Sequence, residues 1–136
     1  MAGERRKARE AALQALYEID LAGHPSKSVL DKIFEDIQVS ADTAAFAREL
    51  VQGVVENRDT IDTNIKQFAS AWPLDQMSVV DRNILRMGIF ELLWGVEVPP
   101  KAAINEALEI AKKFSTEEST RFINGLLDRV RRELGP

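Results

Sequence analysis

The sequence of 136 residues has no cysteine, a single histidine and no long apolar run. Because cysteine is absent, the chain cannot form disulfides, thiolate metal sites or a cysteine nucleophile. A single histidine excludes a histidine-rich metal site and any mechanism that needs two imidazoles. No stretch approaches the roughly 18 apolar residues of a membrane-spanning helix, and charged residues interrupt the N-terminal positions where a signal peptide needs a continuous apolar core. We therefore expect a cytoplasmic protein without membrane contact.

The composition is that of an ordinary globular protein. Apolar residues make up 45% of the chain and charged residues 29%, so the chain can bury enough apolar surface to offset the entropy lost on folding. The formal net charge of -4 argues against a uniformly basic coat for nucleic acid. It still allows a local basic patch, because binding depends on where the charges lie.

Apolar residues recur with helical spacing along nearly the whole chain, and the two-residue alternation of strands is absent. The pattern predicts an all-α protein of six to seven short helices, the first over residues 4–22 and the fourth over about 58–70. The run Trp72-Pro73-Leu74 is the clearest break. We expect a single domain over 1–136, with helical subdomains over about 1–72 and 73–136, packed as small bundles.

Local motifs predict how several helices begin and pack. Three N-terminal caps are predicted: Asp42, the pair Ser78 and Asp81, and the pair Ser115 and Glu118. Gly125 lies inside the last predicted helix, where glycine costs about 1 kcal/mol relative to alanine. We therefore expect another helix to approach closely at Gly125.

Four cations, Arg5, Arg6, Lys7 and Arg9, form a basic cluster near the start of the first helix. At about 100° per residue, the three arginines share roughly one third of the helix circumference. Guanidinium groups donate paired hydrogen bonds to phosphates, so the cluster is a candidate contact for RNA or DNA. A solvated helix start explains the same charges, and the cluster alone does not decide between the two interpretations.

The other charged residues indicate structure rather than chemistry. The arginines at 129, 131 and 132 lie near a helix C-terminus, where cations are favoured electrostatically. Acidic pairs such as Glu117 and Glu118 have no accompanying base, nucleophile or glycine-rich phosphate loop. His24 lies in a predicted turn without metal-ligand partners. We expect neither catalysis nor a cofactor.

Three segments, in this order and spacing, carry a resemblance to a known family. They are RRKARE (5–10) with ALY (15–17), SVVDRNILR (78–86) with FEL (90–92), and the C-terminal runs AINEA (103–107), AKKF (111–114) and FINGLLD (122–128). Together they span nearly the whole chain and resemble the NusB family of bacterial transcription antitermination factors. The family's central aromatic is commonly tyrosine; Phe90 stands there in this sequence and lacks the hydroxyl.

The resemblance implies an all-helical fold of two three-helix subdomains and a binding protein without catalysis. Family members bind the boxA element of nascent RNA, usually together with NusE, a ribosomal protein of the small subunit. That complex joins the elongating RNA polymerase with other Nus factors. It supports antitermination, particularly on ribosomal RNA operons.

The resemblance also implies roles for individual residues. RNA contacts are expected from Arg5, Arg6, Lys7, Arg9, Phe114, Glu118 and Phe122. The aromatic residues of this set would supply apolar or stacking contact, and the acid would limit or orient the RNA. The surface for NusE is expected to include Tyr17, Leu21, Asp81 and Leu85.

Other functions stay open from the sequence. A NusB-like domain also precedes some ribosomal RNA cytosine methyltransferases; this sequence stops at Pro136 without a glycine-rich cofactor loop, so we expect no such catalytic domain. A helical adaptor that binds only protein would show partner binding without RNA affinity. Some family members form homodimers that could cover the RNA surface, and the sequence does not decide whether this chain does.

Overall fold

The computed structural model describes residues 2–95 and 98–135. Over these residues the chain forms seven α-helices and no strand, which confirms the all-α prediction. The helices are α1 (Ala2–Ala22), α2 (Ser26–Asp36), α3 (Ala41–Glu56), α4 (Arg58–Phe68), α5 (Val79–Trp94), α6 (Pro100–Phe114) and α7 (Glu117–Leu134). A short 3₁₀ turn at Leu74–Gln76 precedes α5. The predicted bounds of the first and fourth helices agree with α1 and α4 to within two residues.

Two helix ends follow from local sequence. α1 is followed by Gly23, whose φ of 71° lies in the left-handed region that glycine adopts easily. Ser78 caps α5 as predicted, because its hydroxyl oxygen accepts a hydrogen bond from the Asp81 amide at 3.0 Å. The Asp81 side chain does not complete a capping box. It accepts hydrogen bonds from Ser115, which follows α6, and from Ser119 of α7.

Two other caps differ from the predictions by one or two positions. At α3, the Ser40 hydroxyl accepts from the Thr43 amide at 3.2 Å, so Ser40 and not Asp42 holds the first turn. At α7, Thr116 accepts from the Ser119 amide at 3.0 Å, one residue after the predicted cap. Each stretch contains two side chains within three residues that can cap, and the path of the chain into the helix selects one of them.

The first compact unit ends at Glu56 and contains α1, α2 and α3. α1 packs against both other helices. Its core positions include the small residues Ala8, Ala12 and Ala15, which are fully buried and leave room for close packing. Bulkier side chains of α2 and α3 fill the rest of the core: Val29, Leu30, Ile33, Leu50, Val51 and Val54.

The second compact unit begins at Asn57 and is organised around α5. α5 packs against α4, α6 and α7, and every residue from 83 to 89 is buried. A helix that is buried on all sides needs neighbours on all sides. The prediction of a close helix approach at Gly125 is wrong, because a Cβ at Gly125 would meet nothing within 4 Å. The close approach is at Gly88, where a Cβ would lie 2.9 Å from a methyl carbon of Leu127.

The boundary between the units lies before α4, not near Trp72 as the sequence suggested. α4 packs against α5 and α7, and this places it in the second unit. An ion pair with a buried arginine strengthens that attachment. Arg86 of α5 is only 3% exposed and donates two hydrogen bonds to the Asp62 carboxylate of α4, at 2.8 and 3.0 Å. Over the described residues, the first unit thus has three α-helices and the second has four.

Candidate functional site

The structure divides the basic cluster of α1 into packed and exposed cations. Arg9 is 4% exposed, and its guanidinium carbon lies 5.2 Å from the ring centroid of Phe46 in α3. Arg5 is half-buried, with its guanidinium carbon 4.1 Å from the same ring. Both contacts are cation–π interactions. The prediction that Arg9 meets RNA does not agree with its burial, because the side chain is enclosed within the first unit.

The exposed cations of the cluster are Arg6 and Lys7. They lie on a helix whose first turn is attached to α3. Glu4 accepts a hydrogen bond from the Thr43 hydroxyl at 2.8 Å, and Thr43 is buried at the start of α3. Arg6 and Lys7 therefore present their charges to solvent from a fixed backbone.

A groove in the first unit carries two of the residues expected at the protein interface. Tyr17 is 40% exposed and Leu21, one turn later, is 59% exposed. The lining comprises Tyr17, Glu18, Leu21, Ala22, His24, Ser28, Val29 and Lys32, and we call it the Tyr17 groove. Exposed apolar side chains rimmed by polar residues are typical of protein contact surfaces.

The chain around the α6–α7 junction, residues 112–118, carries both aromatic and charged side chains; we call it the α6–α7 turn. Phe114 ends α6 and is 46% exposed, with the Lys113 ammonium 5.3 Å from its ring centroid. Glu118 is exposed in the first turn of α7. An exposed ring beside cations suits a nucleic-acid base and its phosphates.

Phe122 is less available than Phe114. It is half-buried, and its ring makes an edge contact with Trp72 at a centroid separation of 4.3 Å. The contact fixes the ring orientation and leaves only part of its surface to solvent. Trp72, which the sequence marked only as a break, therefore supports a predicted site residue.

The other two residues expected at the protein interface are inside the second unit. Asp81 is 3% exposed and Leu85 is fully buried. The Asp81 carboxylate accepts hydrogen bonds from the hydroxyls of Ser115 and Ser119, the latter at 2.7 Å. The prediction that Asp81 and Leu85 face a partner does not agree with this burial. Sequence spacing gave no sign of the bonds, because the partners lie more than thirty residues apart.

The arginines near the end of α7 bond to acids of their own helix. Arg131 and Arg132 both donate to Asp128, at 2.8 and 3.0 Å, and the Arg131 hydrogen bond is the main reason that the pKa of the Asp128 carboxyl lies below its ordinary value. Arg129 donates to Glu133 at 2.8 Å. These pairs support the structural interpretation of the C-terminal cations.

Within residues 2–95 and 98–135, no three acidic or histidine side chains are grouped so that they could hold a metal ion. Over the same residues, no helix is long and apolar enough to cross a membrane.

The chain matches known proteins over almost its whole length. The model of the NusB family matches residues 6–132. The protein named "Transcription antitermination protein NusB" of Dehalococcoides mccartyi (strain ATCC BAA-2266 / KCTC 15142 / 195) is 49% identical over 134 residues, which are 98% of this chain and 94% of that protein. These matches confirm the resemblance carried by the three sequence segments.

Solved structures show the same fold. A structure of T. maritima NusB superposes with a TM-score of 0.90 at 36% identity and covers 97% of this chain and 93% of that one. A chain from the crystal structure of the antitermination factors NusB and NusE in complex with dsRNA has a TM-score of 0.87 at 28% identity, covering 97% of this chain and 98% of that one. By its sequence and its fold, this chain belongs to the NusB family, and the relative it matches at 49% identity is a transcription antitermination protein and not an enzyme.

Proposed function

We propose that this chain binds boxA RNA together with NusE and joins the elongating RNA polymerase as an antitermination factor, particularly on ribosomal RNA operons. The observation that carries the proposal is the near full-length likeness to a chain crystallised with NusE and dsRNA, at a TM-score of 0.87. The chain would act in the cytoplasm, where the polymerase transcribes.

The RNA-binding part of the proposal rests on two groups of exposed side chains. Arg6 and Lys7 of α1 offer cations to phosphates, and Phe114 with Lys113 offers a ring and a cation. Unpaired RNA is bound in this manner, with stacking on aromatic rings and charge contacts to the backbone. Glu118, exposed four residues after Phe114, would repel phosphates, and so would favour one path of the RNA over others.

The packing of the basic cluster sets the expected strength of RNA binding. Four contacts from the cluster to single-stranded RNA would give a slope of log affinity against log salt near about -3, at roughly 0.7 per phosphate. Because only Arg6 and Lys7 of the cluster are exposed, the cluster contributes a slope of log affinity against log salt of about -1.4 at the same value per phosphate. A chain with this modest charge contact binds RNA weakly alone, and a second protein that adds contacts to the same RNA raises the affinity of the complex.

The partner-binding part of the proposal rests on the Tyr17 groove. Tyr17 and Leu21 are exposed apolar side chains in the first unit, and tyrosine is enriched among the residues that dominate protein interfaces. We assign this groove to NusE. The same groove would serve a helical adaptor that binds only protein, which is the second candidate function and is distinguished by the absence of RNA affinity.

Fluorescence anisotropy of a labelled boxA RNA tests the proposal directly. The RNA is titrated with this chain alone, with cognate NusE alone and with both, beside a scrambled RNA of equal length. We expect weak binding by the chain alone and tighter, sequence-selective binding by the pair. Partner binding without RNA affinity would support the adaptor, and a dimeric mass together with a lack of RNA binding would indicate a homodimer that covers the RNA surface.

A further inference from the structure

The buried carboxylate of Asp81 links three helices of the second unit. Asp81 ends the first turn of α5, while Ser115 follows α6 and Ser119 lies in the first turn of α7. Both serine hydroxyls donate to this one carboxylate, one to each oxygen. Asp81 and Ser119 are both buried, so water cannot easily replace the bonds between them.

Helix capping leaves the Asp81 side chain available for this role. The first turn of α5 is capped by Ser78 and that of α7 by Thr116, so neither helix needs the Asp81 carboxylate as its cap. The carboxylate nevertheless lies at the N-terminal turns of both helices, where helix dipoles favour a negative charge. These dipoles and the two hydroxyl donors make a buried charge tolerable at this position.

The two bonds enclose the exposed part of the α6–α7 turn. Ser115 directly follows Phe114, and Ser119 directly follows Glu118. Phe114 and Glu118 both point into solvent, whereas the serines beside them are tied to α5. The backbone that carries the two exposed side chains is therefore held at two points by one side chain of a different helix.

We propose that Asp81 is a positioning residue for RNA binding, which holds the α6–α7 turn through Ser115 and Ser119 so that Phe114 and Glu118 are fixed before RNA arrives. This inference rests on the proposed RNA-binding function. Side chains that are ordered in advance lose less entropy on binding, so a loosened turn binds the same RNA less tightly. Asp81 acts through the turn and does not touch RNA.

The test uses the full chain with Asp81→Asn, Ser119→Ala and the double variant. RNA affinity is measured by anisotropy with the labelled boxA RNA, with and without NusE, at a temperature where every variant is folded. We expect each single change to weaken RNA binding about threefold to tenfold. We expect the double variant to be no weaker than the weaker single variant, because the two changes remove the same link. Backbone amides at Ser115 and Ser119 should also exchange hydrogen faster.

Two controls separate positioning from general loss of stability. Thr120→Ala removes a hydroxyl next to Ser119 that donates to the backbone carbonyl of Thr116, the cap residue of α7, at 2.9 Å, and should leave RNA affinity within twofold. Ile65→Val trims a buried core residue of α4 and lowers the thermal midpoint without touching the turn. Ser115→Ala is the milder alternative if the changes at buried positions prevent folding.

The outcomes distinguish the two proposals. A wild-type chain that binds no RNA, alone or with NusE, contradicts the antitermination function and the positioning role together. Wild-type binding that is equally tight in Asp81→Asn and Ser119→Ala overturns the positioning role alone. The role is also overturned if Ile65→Val, compared at an equal loss of thermal midpoint, weakens RNA binding as much as Ser119→Ala does.

Discussion

Arg9 of α1 and Phe46 of α3 form a packed pair, with the guanidinium carbon 5.2 Å from the ring centroid. Arg5 approaches the same ring from one turn earlier, at 4.1 Å. The sequence predicts that the four cations of this cluster form one phosphate-binding group. In the structure the cluster instead divides into packed and exposed side chains. Arg9 contributes to the junction of α1 and α3, while Arg6 and Lys7 remain exposed.

We expect Arg9→Ala to lower the free energy of unfolding by about 1–2 kcal/mol, because a buried stem and a cation–π contact are lost together. Arg6→Ala removes an exposed cation and should change the same free energy by less than about 0.5 kcal/mol. Urea unfolding of both variants measures the difference. Equal stabilities of the two variants would contradict the packed role of Arg9.

The double variant Arg6→Ala and Lys7→Ala should weaken RNA binding and reduce the salt slope by about 1.4, since two phosphate contacts are removed. Its thermal midpoint should stay near that of the wild type. The matched control is Lys27→Ala with Lys66→Ala, which removes two exposed cations from α2 and α4. If both double variants lose the same slope, net charge and not the α1 cluster governs binding.

Tyr17→Arg should abolish or strongly weaken NusE binding without unfolding the chain, because it places a charge in an exposed apolar groove. Leu85→Arg should instead destabilise the second unit, since that position is fully buried and offers no partner for the charge. Co-elution with NusE and thermal unfolding, measured on both variants, separate the two effects. Intact co-elution of Tyr17→Arg would exclude the Tyr17 groove as the interface.

Gly88→Ala should cost about 1–2 kcal/mol of stability, because the added methyl group forces the buried Leu127 side chain to move. Gly125→Ala is the matched control in an exposed helical position with open space, and there alanine should gain about 0.5–1 kcal/mol through helix propensity. Chemical unfolding of both variants measures whether each change lowers or raises the free energy of unfolding. A stabilising Gly88→Ala would show that the contact between α5 and α7 can accept an added methyl group without strain.

The pKa of the Asp128 carboxyl should be below its ordinary value of 3.8 in the folded chain. The main cause is the hydrogen bond that Arg131 donates to the ionised form, and a hydrogen bond from Arg132 lowers the pKa further. A lowered folded-state pKa adds stability that is present above the unfolded-state value and is lost as the pH falls through the folded-state value. Carboxyl titration by NMR should show the pKa of Asp128 rising in Arg131→Ala. An unchanged value would exclude that hydrogen bond as the cause.

Helical periodicity predicted the elements of this fold well because it is a local property. The apolar spacing that predicts α1 and α4 also decides which face of each helix is buried. The division of the chain could not be predicted in the same way. α4 is attached to the second unit by the ion pair of Asp62 and Arg86, which are separated by 24 residues. No local sequence pattern predicts a pair at that separation.

The candidate site shows the same limit. The resemblance identified Phe114 and Glu118, which are exposed, and also Asp81 and Leu85, which are buried. A motif shows that a residue type recurs at a position, but it does not show whether the side chain faces solvent or a neighbouring helix. No local pattern indicates that Ser115 and Ser119 bond to Asp81, because the serines lie 34 and 38 residues from it in the sequence.

The position of Arg6 and Lys7 within the first two turns of α1 has an electrostatic consequence for the free chain. The start of a helix carries roughly half a unit of positive charge, and because this effect fades beyond the first turn, cations in the second turn are repelled weakly by their own backbone. A phosphate that binds at this end reverses the sign of that interaction. In the proposed complex, bound phosphate would therefore offset the charge of Arg6 and Lys7 and add to the stability of the beginning of α1, beside the favourable acid Glu4 of its first turn.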